Sequence, residues 1–502
     1  IAKIDDRSSL LFEFEWSKRS STPNTAGVPF VYSKKKYTGE IVPELGRLSQ
    51  GGPNATKNRE MSTATLTYEN RISDVWTARA STYGYHRHAF NFNSGSSSKY
   101  DPSSNTIGRA KSYWDVLNED SAALQADLLA HYWTGNHTLE HKTLLTLDLS
   151  DNWRYRIQRQ PKASIAPDDL DVANPDYSVP AFGDYNIVSR QDKVRWDIQG
   201  LFLRQQTAFW QGRLIGFAGV RFDRVTYDMN FGDQYSTKTG KLDSPGLIDH
   251  FTDTAASPSI GLNFKATPHI AIYGNFSKSF YPNAQVAKLG DGRLPNETGR
   301  GWDFGIKSSL FDNRLIFTLG GYIIRRDGVK ASIKDDDGNT ISVAAGSQEA
   351  KGIEFDGTWR LSDDLTVLAA YGYSDTRILE NGSNVESVGH RSQGVPLDNG
   401  AIAVKYNIPG MLKGVALTGG LHYTGMSYPQ SYASDARQAL TLGGYALVQI
   451  GLSYRWKQGS GPNAIEQTIR LSAKNLLDRE YINERLNLGE GRGVYLAYTI
   501  SH

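Results

Sequence analysis

The stretch "NEDSAALQADLLAHYWTGNHTLEHKTLLTLDLSDNWRYRI" (118–157) decides the fold. It alternates between apolar and polar residues, breaks at Thr134-Gly135-Asn136, and alternates again to Ile157. Successive side chains of a strand point to opposite faces, so each arm has one apolar and one polar face. Strands of soluble domains stop after about five or six residues. Two arms this long, joined by a turn this short, belong to a wall taller than a soluble sheet.

The same alternation recurs to the end of the chain. In 445–456, Ala446, Val448, Ile450, Leu452, Tyr454 and Trp456 oppose Tyr445, Gln449, Gly451, Ser453 and Arg455. In 494–501, Val494, Leu496, Tyr498 and Ile500 oppose Tyr495, Ala497, Thr499 and Ser501. A soluble sandwich alternates too, so the connections decide. Short turns fall at Asp5-Asp6, Ser73-Asp74, Thr134–Asn136, Trp210–Gly212, Ala266–Pro268, Phe311–Asn313, Ser362–Asp364, Pro409–Met411 and Gln458–Asn463. Long polar stretches lie between them, at 19–60, 91–115, 160–186, 230–251, 282–296, 328–341, 379–395, 427–441 and 477–490. Strict alternation of short and long connections is the pattern of an outer-membrane β-barrel, with short periplasmic turns and long extracellular loops. The reading is all-β, an antiparallel transmembrane barrel of about 18 strands, with residues 1–502 as one barrel domain. An apolar belt of about 25 Å needs roughly ten residues per tilted strand. Many of these strands are longer, so the wall is expected to rise above the membrane on the loop side.

Composition agrees. Mean hydropathy is −0.47, yet aromatic residues make up 11% of the chain, with 27 Tyr and 10 Trp. Only every second residue of a barrel strand meets lipid, so a polar average and an aromatic-rich sequence coexist. No run of about 18 apolar residues offers a transmembrane helix. The absence of cysteine excludes thiol catalysis, disulfides, zinc fingers and iron–sulfur ligation. The 55 basic and 53 acidic residues nearly cancel, and no basic stripe points to nucleic acid.

The ordered segments "SPSIGLNFKATPHIAIYGNFSKSFYPN" (257–283), "ETGRGWDFGIKSSLFDNRLIFTLGGYIIRRDGV" (297–329), "GSQEAKGIEFDGTWRLSDDLTVLAAYGYSDTRI" (346–378), "LGGYALVQIGLSYRW" (442–456), "LSAKNLLDREYI" (471–482) and "GRGVYLAYTIS" (491–501) resemble the barrel of TonB-dependent outer-membrane receptors, most closely those for ferric siderophores. The resemblance implies capture of a metal chelate by loops and lumen. It also implies energised import through a TonB complex acting on an N-terminal plug. It further implies contact with outer-membrane lipid and lipopolysaccharide, and a location in the bacterial outer membrane. The plug and the TonB-contacting segment are not found in these residues, and the family barrel has 22 strands rather than 18. The expectation is that plug and first strands are trimmed before Ile1, or that a partner chain completes the wall. The family usually ends in an aromatic residue, whereas this chain ends Ser501-His502.

Ligand-binding candidates are aromatic and polar residues near the outer rim. They are Tyr85, His88 and Phe90 at the end of a rising strand, Tyr281 at the start of a loop, and Tyr428 and Tyr432 within 427–441. Arg87 can meet an anionic chelate with its guanidinium fork. Each aromatic also fits a belt or loop-packing role.

No metal site or cofactor is read from the sequence. His137 and His141 stand about 13 Å apart along a strand, and nothing completes a shell around His86 and His88. "DDDGNT" (335–340) lacks the Gly and Glu positions of an EF-hand loop, and "GEGRG" (489–493) precedes a strand rather than opening a helix. No G-x-S-x-G nucleophile elbow occurs, and no enzymatic activity is read. Two other functions stay open at this point: a passive outer-membrane pore, and a barrel anchoring a larger assembly.

Overall fold

Among the described residues, eighteen long strands form one antiparallel sheet in a computed structural model of the chain. The structure describes residues 2–501 except 23–26, 34–35, 49–51, 54, 94–98, 110–111, 167, 283–293, 295, 335–339, 382–384, 429–440, 460 and 462–463. Among the described residues there is no α-helix, only short 3-10 turns. The wall strands are β1 (Ser8–Ser21), β2 (Thr56–Arg71), β3 (Trp76–Asn93), β4 (Tyr113–Thr134), β5 (Leu139–Gln160) and β6 (Ile187–Phe209). They continue as β7 (Leu214–Phe231), β8 (Leu247–Thr267), β9 (Ile270–Tyr281), β10 (Glu297–Leu310), β11 (Leu315–Lys334) and β12 (Thr340–Arg360). The series ends with β13 (Leu365–Glu380), β14 (Asp398–Asn407), β15 (Val415–Thr424), β16 (Tyr445–Gln458), β17 (Ile465–Lys474) and β18 (Gly493–Ser501). Each pairs with its neighbours in sequence, so the topology is a plain up-and-down meander. A two-residue strand, Ala2–Lys3, pairs with the foot of β1.

Turn chemistry sets the register. Ser73 Oγ accepts the backbone N–H of Val75 and Trp76, and Ser362 Oγ does the same for Asp364 and Leu365. Three other turns use three consecutive left-handed residues: Gly135–His137, Trp210–Gly212 and Phe311–Asn313. Left-handed backbone is uncommon for bulky residues. The pairing of the flanking strands holds Trp210 and Phe311 there.

The wall is one sheet thick. Its accessible surface is 29200 Å², against about 18,000 Å² for a compact globule of this mass. Both faces are therefore open to their surroundings. In β5, Leu145, Leu147 and Leu149 share a face with Leu203 and Leu201 of β6 across the ladder. On the opposite face Asp127 of β4 accepts hydrogen bonds from Gln125 and Thr146. The apolar face looks out to lipid and the polar face looks into the lumen.

Contacts between loops show that the sheet curls into a cylinder. The connection after β1 meets the connection before β18: Val28 N–H donates to Leu486 O, and Arg47 lies 3.4 Å from Glu480. Gly27, with φ of +68°, allows this approach, since a Cβ there would stand 2.4 Å from Leu486 O. Below these loops β1 and β18 carry no mutual pairing among the described residues. Phe12 and Phe14 on β1 are 63% and 62% exposed, more than Leu145 at 40% in the middle of the sheet.

The wall is uneven in height. β6 has 23 residues and spans about 75 Å along its length, while β18 has 9. Loop-side structure also departs from the reading of 19–60, 91–115 and 160–186 as polar connections. Segments of all three build a five-stranded sheet in the order Leu170–Asp171, Thr106–Ile107, Lys99–Asp101, Phe30–Ser33, Lys36–Ile41. Val28, Phe30, Ile107 and Leu170 are fully buried in these loops. Phe30 clusters with Leu442 and Leu486, tying the first loops to the last two.

Candidate binding wall in the lumen

Strand parity places the sequence candidates. Arg87 lies opposite Met61 and Glu119, and His88 lies opposite Glu60 and Asn118. Tyr85 and Arg87 face the lumen, and the Tyr85 ring stacks on Tyr83 at 6.5 Å. His88 and Phe90 point the other way, to the outside of the wall, where His88 Nδ1 meets Asn118 Oδ1 at 2.6 Å. The four residues therefore do not form one site. Tyr281 ends β9 opposite Glu297, is 66% exposed, and is six strands from β3. Tyr428 lies in the connection after β15, where its carbonyl accepts the Gly394 N–H. Tyr432 lies outside the described residues, as does 335–339 of the acidic turn.

Around Tyr85 and Arg87 the upper lumen wall carries an ion ladder. Arg87 contacts Glu119 at 3.0 Å. Glu119 stands opposite Arg154 of β5, and Arg154 reaches Asp192 of β6 at 3.0 Å. Asp192 is fully buried and also accepts from Arg190 Nε at 2.9 Å. Arg156 grips Asp115 with Nε and Nη2 at 2.8 and 3.0 Å. Buried charges persist only when paired in this way. The Nε–H groups of Arg87 and Arg154 are buried and find no acceptor among the described residues. A buried unpaired donor costs about 1–3 kcal/mol.

Beside and beneath the ladder lies an apolar band. Val194, Val225, Tyr227 and Met229 are buried, with Trp196, Ile198 and Phe251 packed around them. The rings of Tyr227 and Phe251 stack at 4.8 Å. Lower still, Arg221 pairs with Asp148 and Asp223. Gly200 makes room for it: a Cβ there would stand 2.1 Å from Arg221 Nη2. The sequence did carry a signal for the ladder. Arg154 and Arg156 sit two apart in "WRYR", within the opening stretch, and so share a face.

The NLLDREY stretch serves structure at the rim. Asn475, buried, donates from Nδ2 to the carbonyls of Arg479 and Glu490 and accepts from Arg479 N–H. Asp478 accepts the Arg492 N–H. These bonds knot the last loop, and burial against Tyr445 pushes the Tyr481 phenol above its usual range. Among the described residues no group of three His, Asp or Glu side chains is spaced to hold a metal ion.

An up-and-down meander curled into a cylinder, with a greasy outer face and a wet lumen, is a transmembrane β-barrel. Residues 2–476 match the family model described as TonB dependent receptor-like, beta-barrel, and the chain belongs to that family. Its place is the outer membrane of a Gram-negative bacterium. The metal-pseudopaline receptor CntO of Pseudomonas aeruginosa is 27% identical over 97% of this chain and 67% of its own length. The ferrichrome outer membrane transporter/phage receptor of Escherichia coli is 24% identical over 96% of this chain and 63% of its own. This chain thus spans about two thirds of such relatives. Among solved structures, the ferric preacinetobactin receptor BauA from Acinetobacter baumannii superposes with a TM-score of 0.76. That match has 15% identity and covers 99% of this chain and 70% of the other. The siderophore receptor PiuA from the same organism gives 0.77, with 15% identity over 98% and 72%. At such identities the likeness speaks for the fold.

Proposed function

We propose that the chain is the barrel of an outer-membrane receptor that captures a metal chelate, most simply a ferric siderophore, for TonB-energised import. The relatives named for metal-pseudopaline and ferrichrome support this reading. The observation that carries it is the lumen ladder of Arg87, Arg154 and Arg156 beside an apolar band. Guanidinium forks suit carboxylate or other anionic donor groups of a chelate, and the band suits its flat or apolar parts. The metal then arrives as cargo inside its ligand and needs no protein-held site.

The test is binding of a panel of ferric, nickel and zinc chelates to the purified receptor, by quenching of intrinsic tryptophan fluorescence. One chelate class should bind at micromolar concentration or below. Arg87→Ala should weaken it about tenfold or more, the loss of one charge-assisted hydrogen bond. Equal affinity in both proteins removes the ladder from the site, and no binding across the panel removes the chelate.

A further inference from the structure

Strands β6 to β10 enclose a second concave place, on the outside of the wall. It is a groove of about 760 Å³. Cross-strand register runs Gly216 to Leu262 to Gly274 to Phe304, so these four share the outer face. Gly216 and Gly274 make the floor, and Phe264, Phe276, Trp302 and Phe304 make the sides. Along β8 the groove runs from Ile260 to Phe264, about 13 Å.

The wall itself does not require glycine at 274. A Cβ there would meet only Asp303 O, at 4.0 Å, and the residue has no left-handed backbone. The floor is therefore open at Gly274, while at Gly216 a Cβ would already meet Leu262 Cδ2 at 3.3 Å. An unfilled apolar hollow loses dispersion contacts along all its sides. In the membrane the filler at hand is an acyl chain. The lower end of the groove lies beside the turn 210–213, on the periplasmic side. There the Arg213 guanidinium is exposed, 5.9 Å from the ring of Phe264, with one hydrogen bond to Ala266 O. No ion pair joins Arg213 to a carboxylate among the described residues. Its charge stands where the phosphate of a periplasmic-leaflet lipid would lie.

We propose that this groove is a specific site for one phospholipid, with an acyl chain laid over Gly216 and Gly274 and its phosphate at Arg213. The site is separate from the lumen and independent of chelate binding.

Native mass spectrometry of the detergent-purified receptor, incubated with dioleoyl phosphatidylglycerol or with dioleoylglycerol, tests the proposal. The wild type should retain one phosphatidylglycerol at an occupancy at least fivefold above that of Gly274→Leu, which fills the hollow. Arg213→Gln should lower retention of phosphatidylglycerol at least threefold and leave dioleoylglycerol unchanged. Heat-modifiable gel mobility checks that each variant is folded. Equal retention by wild type and Gly274→Leu overturns the proposal, as does dioleoylglycerol held as firmly as the phospholipid. Should Gly274→Leu not fold, brominated phosphatidylglycerol decides. It must quench wild-type fluorescence more than that of Trp302→Phe, and equal quenching overturns the site.

Discussion

The lower and upper halves of strands β5 to β8 obey the same alternation with opposite meaning. Low on the wall, Leu145, Leu147, Leu201, Leu203 and Phe222 face out, and Asp148, Arg221 and Asp223 face in. Higher on the same strands, Val194, Trp196, Tyr227 and Met229 face in. Their outward neighbours are polar or charged: Asp151 paired with Arg195 at 2.9 Å, and the Asp228 carboxylate 2.5 Å from the His250 ring. The β5–β6 and β6–β7 ladders run through this change with no slip between Asp148 and Asp151 or between Val194 and Leu203. What changes is the medium outside, from lipid to water. Below, lipid takes the apolar face. Above, outward apolar residues would meet water, so the hydrophobic face turns to the interior and packs there.

Breaking the upper packing should have the largest effect. Tyr227→Ala removes a buried ring stacked on Phe251 and should cost about 3 kcal/mol or more. Hydrogen exchange should rise in the upper halves of β6 to β8 while the membrane belt stays protected. Uniform protection would mean the two halves are not separate packing regions.

The outward belt gives the next largest effect. Leu145→Arg puts a charge against lipid and should cost about 2–4 kcal/mol, read as lost folding into vesicles. Lys193→Leu, on the outer face above the belt, should fold normally, because water rather than lipid surrounds it. If both fold alike, the height at which lipid ends has been misplaced.

In the lower half Gly200 stands opposite Asp148 and Asp223. Gly200→Ala pushes a methyl group into the Arg221 guanidinium and should cost about 1–3 kcal/mol in urea unfolding. Arg221→Ala in the same background should recover part of that loss. The double variant otherwise shows that the collision is not the cause.

The smallest effect belongs to the loops above both halves. Tyr185 is buried, shares a 2.6 Å hydrogen bond with Ser112, and burial raises its phenol above the usual 10.0. The protonated form is thus favoured by the folded loop. Its contribution is complete below about pH 10 and is lost as pH rises through the raised value. Proteolysis of residues 182–186 should quicken in that range, and Tyr185→Phe should remove the pH dependence.

Much of the wall was legible because lipid imposes a strict period. Strand β6 runs over the expected 187–209, and the short turns at 73, 135, 211, 312 and 363 lie where Ser, Gly and Asn place them. The five-stranded loop sheet was not legible. Its members have two to six residues and draw on three separate connections, too short for periodicity to register. In the candidate site, parity groups Tyr85 with Arg87, whereas His88 and Phe90 join them only through nearness in sequence. Adjacent residues of a strand cannot share a face.

The sequence by itself determined the all-β barrel, its short and long ends, its 18 strands and the family to which it belongs. Alternation and turn chemistry are local, so they can be read without coordinates. Only the tertiary structure decided which face of each strand meets the lumen above the membrane, which arginines meet which carboxylates, and how the first loops clasp the last. Those depend on neighbours far apart in the chain and on the height at which lipid gives way to water.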